Sequence, residues 1–181
     1  MKQAYLHTKS GRRPPIYVSA FAKHAARVAA RRGDGLWTLA NPETVPDLVD
    51  TYKSACDDAG REPGKIIIQA SFSWASEDDA AFQGAKPFKA TIPPEFYTDD
   101  WHDPKAMSEY ADQKYSDDEF RERFIISSDP EEHVERVRQI EQLGADVVVL
   151  MNNSGAAPVE AIRVYGEQVL PALRGARVPS S

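Results

Sequence analysis

Residues 14–38 read Pro-Pro-Ile-Tyr-Val-Ser-Ala-Phe, then Ala-Lys-His-Ala-Ala-Arg-Val-Ala-Ala-Arg-Arg, then Gly-Asp-Gly-Leu-Trp-Thr. The apolar run at 16–20, placed behind two prolines, has the length of a strand, and the alanine-rich segment 22–32 reads as a helix. Gly33-Asp34-Gly35 stops that helix and launches a second short strand at 36–38. A strand, a helix and a strand in so short a stretch constrain the fold strongly. The second strand must run parallel to the first, with the helix laid across one face of the sheet.

The unit recurs. A helix is expected at 43–59, where Val45, Leu48, Val49, Tyr52 and Cys56 repeat at helical spacing before Gly60. A strand follows at 65–72 and another at 146–151, each an apolar run that reads as covered on both faces. Glu77-Asp78-Asp79 places negative charge in the first turn of a helix at 77–86. Asp129-Pro130-Glu131-Glu132 reads as a helix start, with Asp129 as N-cap, proline in the first turn and Glu132 spaced for a capping box. That helix carries Val134, Val137, Ile140 and Leu143 and ends at Gly144. Asn152-Asn153-Ser154-Gly155 follows the 146–151 strand as a polar turn whose amides suit a ligand. The last helix, 158–173, is expected to bury Ile162, Tyr165, Val169 and Leu173. Residues 1–13 read as a polar leader, 14–175 as the folded domain and 176–181 as a tail. Segment 87–122 loses periodicity apart from a polar helical piece at 105–114, and reads as an irregular insertion of the kind that forms lids and binding loops.

Composition narrows the function. A net charge of -6 over 181 residues argues against nucleic acid or an anionic membrane as partner, since both require a basic surface. No run of 18 apolar residues and no signal-like segment after Met1 is present, so a soluble, cytoplasmic protein is expected. Cys56, the single cysteine, falls on an apolar helix face and reads as a packing residue. Asp99, Asp100, His102 and Asp103 are the best metal-ligand types in the chain. They are nearly consecutive rather than spaced to converge, so no metal site is expected. His7 reads as a surface imidazole, and His24, His102 and His133 are not assigned as bases.

Four strand-helix units with buried parallel strands fit either a doubly wound sheet or half of a (β/α)8 barrel, and periodicity does not choose between them. In both, ligands sit beyond the C-terminal ends of the strands. Ser19, Ala20, Phe21 and Ala22 hold that position after the first strand.

Four stretches carry a family resemblance: Pro-Pro-Ile-Tyr-Val-Ser-Ala-Phe (14–21), Gly-Asp-Gly-Leu-Trp-Thr (33–38), Pro-Pro-Glu-Phe-Tyr (93–97) and Ser-Asp-Pro-Glu-Glu-His-Val-Glu-Arg (128–136). Together with Gln-Val-Leu-Pro-Ala-Leu-Arg at 168–174, they make the chain similar to the luciferase-like monooxygenase superfamily. Within it they most resemble the oxidoreductases akin to the glucose-6-phosphate dehydrogenase that uses the deazaflavin coenzyme F420. The resemblance implies an α/β fold that is the C-terminal half of a (β/α)8 TIM barrel, matched from the fifth strand onward.

The same resemblance implies coenzyme F420 as cofactor, with flavin mononucleotide (FMN) as the alternative, and hydride transfer to or from a small organic substrate. It assigns Ser19, Ala20, Phe21 and Ala22 to the turn where backbone approaches the cofactor, although relatives often carry glycine where this chain has Ala22. It assigns Thr38 and Arg123 to the substrate pocket, the guanidinium suiting an anionic group. Asn41 replaces a pocket lysine and 98–100 is acidic near a second one, which turns the expectation away from phosphorylated sugars. The family's proton-transfer residues lie in the first four strands, so no catalytic base is assigned in this chain. The expected partners are the missing N-terminal half-barrel or a second copy. The other reading is a non-catalytic, self-associating α/β half-barrel module.

Overall fold

The computed structural model describes residues 11–175. The predicted leader lies mostly outside the described residues, with Tyr5, Leu6 and His7, and so does the tail.

Five strands form one parallel sheet: β1 (Tyr17–Ser19), β2 (Gly35–Leu39), β3 (Lys65–Trp74), β4 (Ile125–Ser127) and β5 (Val147–Asn152). β3 is the centre. It pairs with β2 through Lys65–Gln69 on one edge and with β5 through Ile67–Phe72 on the other. Because Phe72 is matched with both Ile125 and Asn152, β4 lies on the β2 edge of β3, beyond the point where β2 ends. β4 was not expected: three residues are too few to show a period. β3 also runs two residues past its expected end, because Ser73 and Trp74 pair with β4.

Helices α1 (Lys23–Arg32), α2 (Val45–Asp58) and α6 (Pro130–Gln142) link successive strands. Their apolar stripes meet one face of the sheet: Ala26, Ala29, Leu48, Tyr52, Val134 and Val137 form a core with Leu36, Ile66, Ile68, Ala70 and Phe72. Each buried side chain of the Leu or Val type contributes about 1.5–3 kcal/mol, so this face dominates stability. Cys56 is buried there too. Arg61 terminates α1 by donating to the carbonyls of Ala30 (2.6 Å) and Gly33 (2.7 Å). Asp34 fixes the entry to β1, accepting from the Ile16 amide at 2.7 Å and pairing with Arg13 at 2.5 Å. The hydrogen bonds from Arg13 and Ile16 hold its carboxyl below the usual range.

The expected helical piece at 105–114 is present, and the rest of the segment expected to be irregular is largely helical as well. Helix α3 (Asp78–Ala85) runs into 3-10 turns at Lys86–Thr91 and Pro94–Tyr97, then α4 (Pro104–Lys114) and α5 (Asp117–Arg123). A second small core serves α3 and α5: Phe82, Phe120, Phe124 and Ile126 pack with Ala81 and Ala85. The capping box is also elsewhere than predicted. Ser116 and Glu119 form it at the start of α5. At Asp129 the side chain caps the Glu131 amide, while the Asp129 amide donates to Ser127 Oγ instead of to Glu132.

The last helix is α7 (Pro158–Val164), a π turn at Tyr165–Val169, and α8 (Leu170–Gly175). Its buried residues are Ala161, Val164, Tyr165 and Val169, and Ile162 faces outward. The widened turn shifts the phase of the helix, which a constant 3.6-residue period does not anticipate.

Candidate functional site

Strand parity sorts the side chains. Leu36, Thr38, Ile68, Ala70 and Phe72 lie on the helix-covered face, so Ser19, Trp37, Leu39, Gln69, Ser71 and Met151 take the opposite one. On that face, beyond the C-terminal ends of the strands, lies a cavity of about 490 Å³. Its floor is Trp37, Gln69 and Met151, joined in a line: the Trp37 indole donates to Gln69 Oε1 at 3.2 Å, and the Gln69 amide contacts Met151 Sδ at 2.7 Å. Phe88 of the first 3-10 turn, Ile92 just after it and Phe124 after α5 supply the apolar wall, with Arg123 among the lining residues.

Among the described residues, Arg123 is the only charged side chain lining the cavity. It ends α5, and its guanidinium lies 5.3 Å from the centre of the Tyr115 ring. The remaining polar groups are Ser19, Asn41, Gln69, Ser71, Thr91 and Asn153. Among the described residues no histidine, carboxylate, thiol or phenol lines the cavity, so the lining offers groups that can orient a ligand and no acid or base for proton exchange near neutral pH.

Asn153 is held by its neighbours. Its amide donates to the Phe72 carbonyl at 2.7 Å, and Ser154 Oγ accepts from the Trp74 amide at 3.0 Å. Asn152 closes the turn from both ends: Oδ1 accepts from the Ser154 amide and Nδ2 donates to the Pro158 carbonyl. Asn153 itself is buried, and its Oδ1 has no hydrogen-bond partner.

The sequence-predicted site residues separate into two groups. Ser19, Phe21 and Arg123 come together at the cavity, joined by Asn41. Ala20, Ala22 and Thr38 do not line it. Ala20 is buried and its amide donates to the Trp37 carbonyl at 2.9 Å, so that group is already engaged. Ala22 has φ -144, extended backbone that any residue adopts, so glycine is not needed there. Thr38 is 1% exposed on the helix-covered face, one residue out of phase with Trp37 and Leu39. Sequence reasoning missed Trp37, Gln69 and Met151 as one floor. The parity of three paired strands was the available signal.

The acidic loop gathers no metal site: among the described residues no group of three or more His, Cys, Asp or Glu converges. His102 and Asp100 contact each other at 2.8 Å on the exposed surface. No helix of the described residues is long and apolar enough to cross a membrane.

A parallel sheet with helices on one face and a cavity beyond its C-terminal strand ends defines an α/β half-barrel. The chain belongs to the luciferase-like monooxygenase family, which it matches over residues 2–147. It is 28% identical over 182 residues to an F420-dependent glucose-6-phosphate dehydrogenase of Microbacterium testaceum, covering 96% of this chain and 53% of that one. It is 26% identical over 162 residues to an F420-dependent hydroxymycolic acid dehydrogenase of Mycobacterium tuberculosis, covering 89% of this chain and 43% of that one. Among solved structures, an F420-dependent secondary alcohol dehydrogenase in complex with an F420-acetone adduct superposes with a TM-score of 0.84 at 24% identity, over 94% of this chain and 52% of that chain. The chain therefore spans about half the length of the relatives it matches.

Proposed function

We propose that this chain is the C-terminal half-barrel of an F420-dependent oxidoreductase that moves a hydride between the deazaflavin and a small organic substrate. The observation that carries the reading is the cavity at the C-terminal strand ends, which offers one cation and a set of amides and hydroxyls over an aromatic and aliphatic floor. A flat heteroaromatic group with polar edges and an acidic tail fits such a lining. Trp37, Leu39, Phe88 and Phe124 would contact its faces, Ser19, Gln69, Ser71 and Asn153 its polar edges, and Arg123 an acidic group. When bound, the deazaflavin supplies the carbon that takes or gives the hydride. The residues of this chain orient it and exclude water on one side.

Among the described residues the lining offers no acid or base, so proton transfer falls to groups contributed by a complementary half-barrel, separately encoded or a second copy. Val147 and Met151 on the open face of β5, and Leu39 and Phe21 beside the cavity, are exposed apolar side chains that such a partner would cover. The net charge of -6 supports small-molecule rather than nucleic-acid or membrane ligands, and cytoplasmic location belongs to the same reading. The relatives' names favour F420 over FMN.

The same bare lining favours a second reading, a non-catalytic half-barrel that associates with itself. Titrating F420 with the purified chain and following the coenzyme's fluorescence polarisation separates the two: saturable binding is expected, and no binding up to high micromolar protein would leave the second reading.

A further inference from the structure

We infer that this half-barrel is closed by a second copy of the same chain, β5 of each copy pairing with β1 of the other around one two-fold axis that runs along the strands. The inference rests on the half-barrel reading above and names the partner that completes its cavity. Among the described residues β1 pairs only with β2 and β5 only with β3, so both sheet edges are free. Across the sheet the order is β1, β2, β3 and β5, with the short β4 beyond the end of β2. That is half of the eight strands that close a barrel of this type. Edge strands are usually guarded by a charge, a proline or a bulge. β5 reads Val-Val-Val-Leu-Met-Asn, pairs with β3 without a bulge, and is at least partly exposed along its whole length.

The two edges fit each other rather than themselves. All strands are parallel, so a two-fold along them sets β5 beside β1 in the parallel sense at two equal seams and leaves no edge. β5 against β5 pairs antiparallel under a two-fold, leaves both β1 edges open and does not close the cavity. In the outer ring of helices the seam brings α7 of one copy next to α1 of the other. α7 presents Val159 and Ile162, 70% and 62% exposed, and the α7 segment continues with exposed carboxylates at Glu160 and Glu167. α1 presents Val28 with Arg27 and Arg31 beside it, and carries no carboxylate, in a chain whose net charge is -6. Apolar side chains thereby meet apolar ones, and a cationic helix meets one that bears exposed carboxylates. Closure covers Leu39 and Met151 and supplies the wall that the cavity lacks.

Sedimentation equilibrium of the full chain is expected to give twice the chain mass of 20.1 kDa. A monomer up to high micromolar protein would overturn the inference. The seam itself is read with Arg27→Cys and Ile162→Cys, both at exposed positions, while the native Cys56 is buried. Co-expressed under different tags, the two variants are expected to be joined to each other by a bismaleimide, and neither is expected to be joined to itself when expressed alone. Linkage of either variant to itself, or a dimer in which the mixed pair does not link, would overturn the inference. Ile162→Asp is expected to raise the dimer dissociation constant by about tenfold or more, and an unchanged constant would count against the seam in the same way. F420 polarisation on the same samples keeps the two readings apart. A cross-linked dimer that does not bind F420 upholds the assembly and removes the cofactor, whereas a monomer that binds F420 overturns the assembly and keeps the cofactor.

Discussion

The Tyr165 hydroxyl and Nδ1 of His133 lie 2.8 Å apart in the core, and the other ring nitrogen, Nε2, is 3.0 Å from the Ser127 carbonyl. A carbonyl only accepts, so Nε2 carries the proton, and Nδ1 accepts from the tyrosine. The ring is thereby held neutral, edge-on to Phe72 and Tyr165. The bond ties α6 to the π turn directly behind the strands that carry the cavity. Tyr165→Phe leaves Nδ1 buried without a donor and is expected to cost about 1–3 kcal/mol. Urea denaturation with an unchanged m-value checks it.

The same imidazole sets a pH dependence. Burial pushes the His133 pKa below its ordinary value of 6.5. The unfolded chain therefore takes up a proton as pH falls through about 6.5, while the folded chain resists, so the unfolded state gains. Stability is expected to be flat in this respect above that pH and to decline below it, down to the lowered folded value. The carboxyls held low by hydrogen bonds, Asp34 (from Arg13 and Ile16) and Asp78 (from Ser128), add their own loss only as pH falls through the carboxylate range near 4. Urea midpoints between pH 7.5 and 5 isolate the histidine. His133→Gln should flatten the slope in that window, and an unchanged slope would reject the assignment.

Gly155 sits against Gly84 with φ +52. Alanine there meets the left-handed backbone penalty of about 1–2 kcal/mol and also collides with α3. Gly155→Ala is expected to lower the melting temperature and, because Asn153 is two residues away, to weaken F420 binding. Loss of stability with full affinity would show that the turn does not need its present position.

The fold was legible in sequence wherever one periodicity met one neighbour. α1, α2 and α6 each bury a single stripe against the sheet, and each appears within two residues of its expected bounds at 22–32, 43–59 and 130–143. Where two surfaces compete, the pattern fades: α5 serves the second core around Phe120, and the π turn at Tyr165 shifts the phase that made Ile162 look buried. Strand β3 reads as apolar throughout, yet its two faces differ. Ile66, Ile68, Ala70 and Phe72 meet helices, whereas Gln69 and Ser71 line the cavity. The resemblance assigned Ser19 and Phe21 to the cofactor turn and Arg123 to the substrate pocket, and all three line one cavity. It could not see that Thr38 points to the other side of the sheet, which is a matter of strand parity rather than residue type.

Lys89 is buried between two carboxylates, 3.1 Å from Asp117 and 3.4 Å from Asp112, both about half exposed. It ties the 3-10 turn bearing Phe88 and Thr91 to the first turn of α5, whose far end carries Arg123. Lys89→Ala removes both the stem packing and the tie, and is expected to cost about 1–3 kcal/mol. Lys89→Met keeps the stem and should recover most of the stability. If both variants bind F420 as the parent does, the tie does not shape the cavity.

Arg123 bears the cavity's positive charge from the exposed last turn of α5, so its contribution is electrostatic and screened by salt. Arg123→Ala is expected to weaken binding of F420, whose tail is anionic, by about tenfold at low ionic strength, and by less as salt is raised toward a molar concentration. Arg123→Lys keeps the charge without the planar fork and should lie between the two. Melting temperature should hardly change, because the side chain is exposed and its ring neighbour Tyr115 remains. An affinity that does not respond to the substitution at any salt concentration would remove Arg123 from the site, leaving the cavity to recognise its ligand through amides, hydroxyls and apolar faces alone.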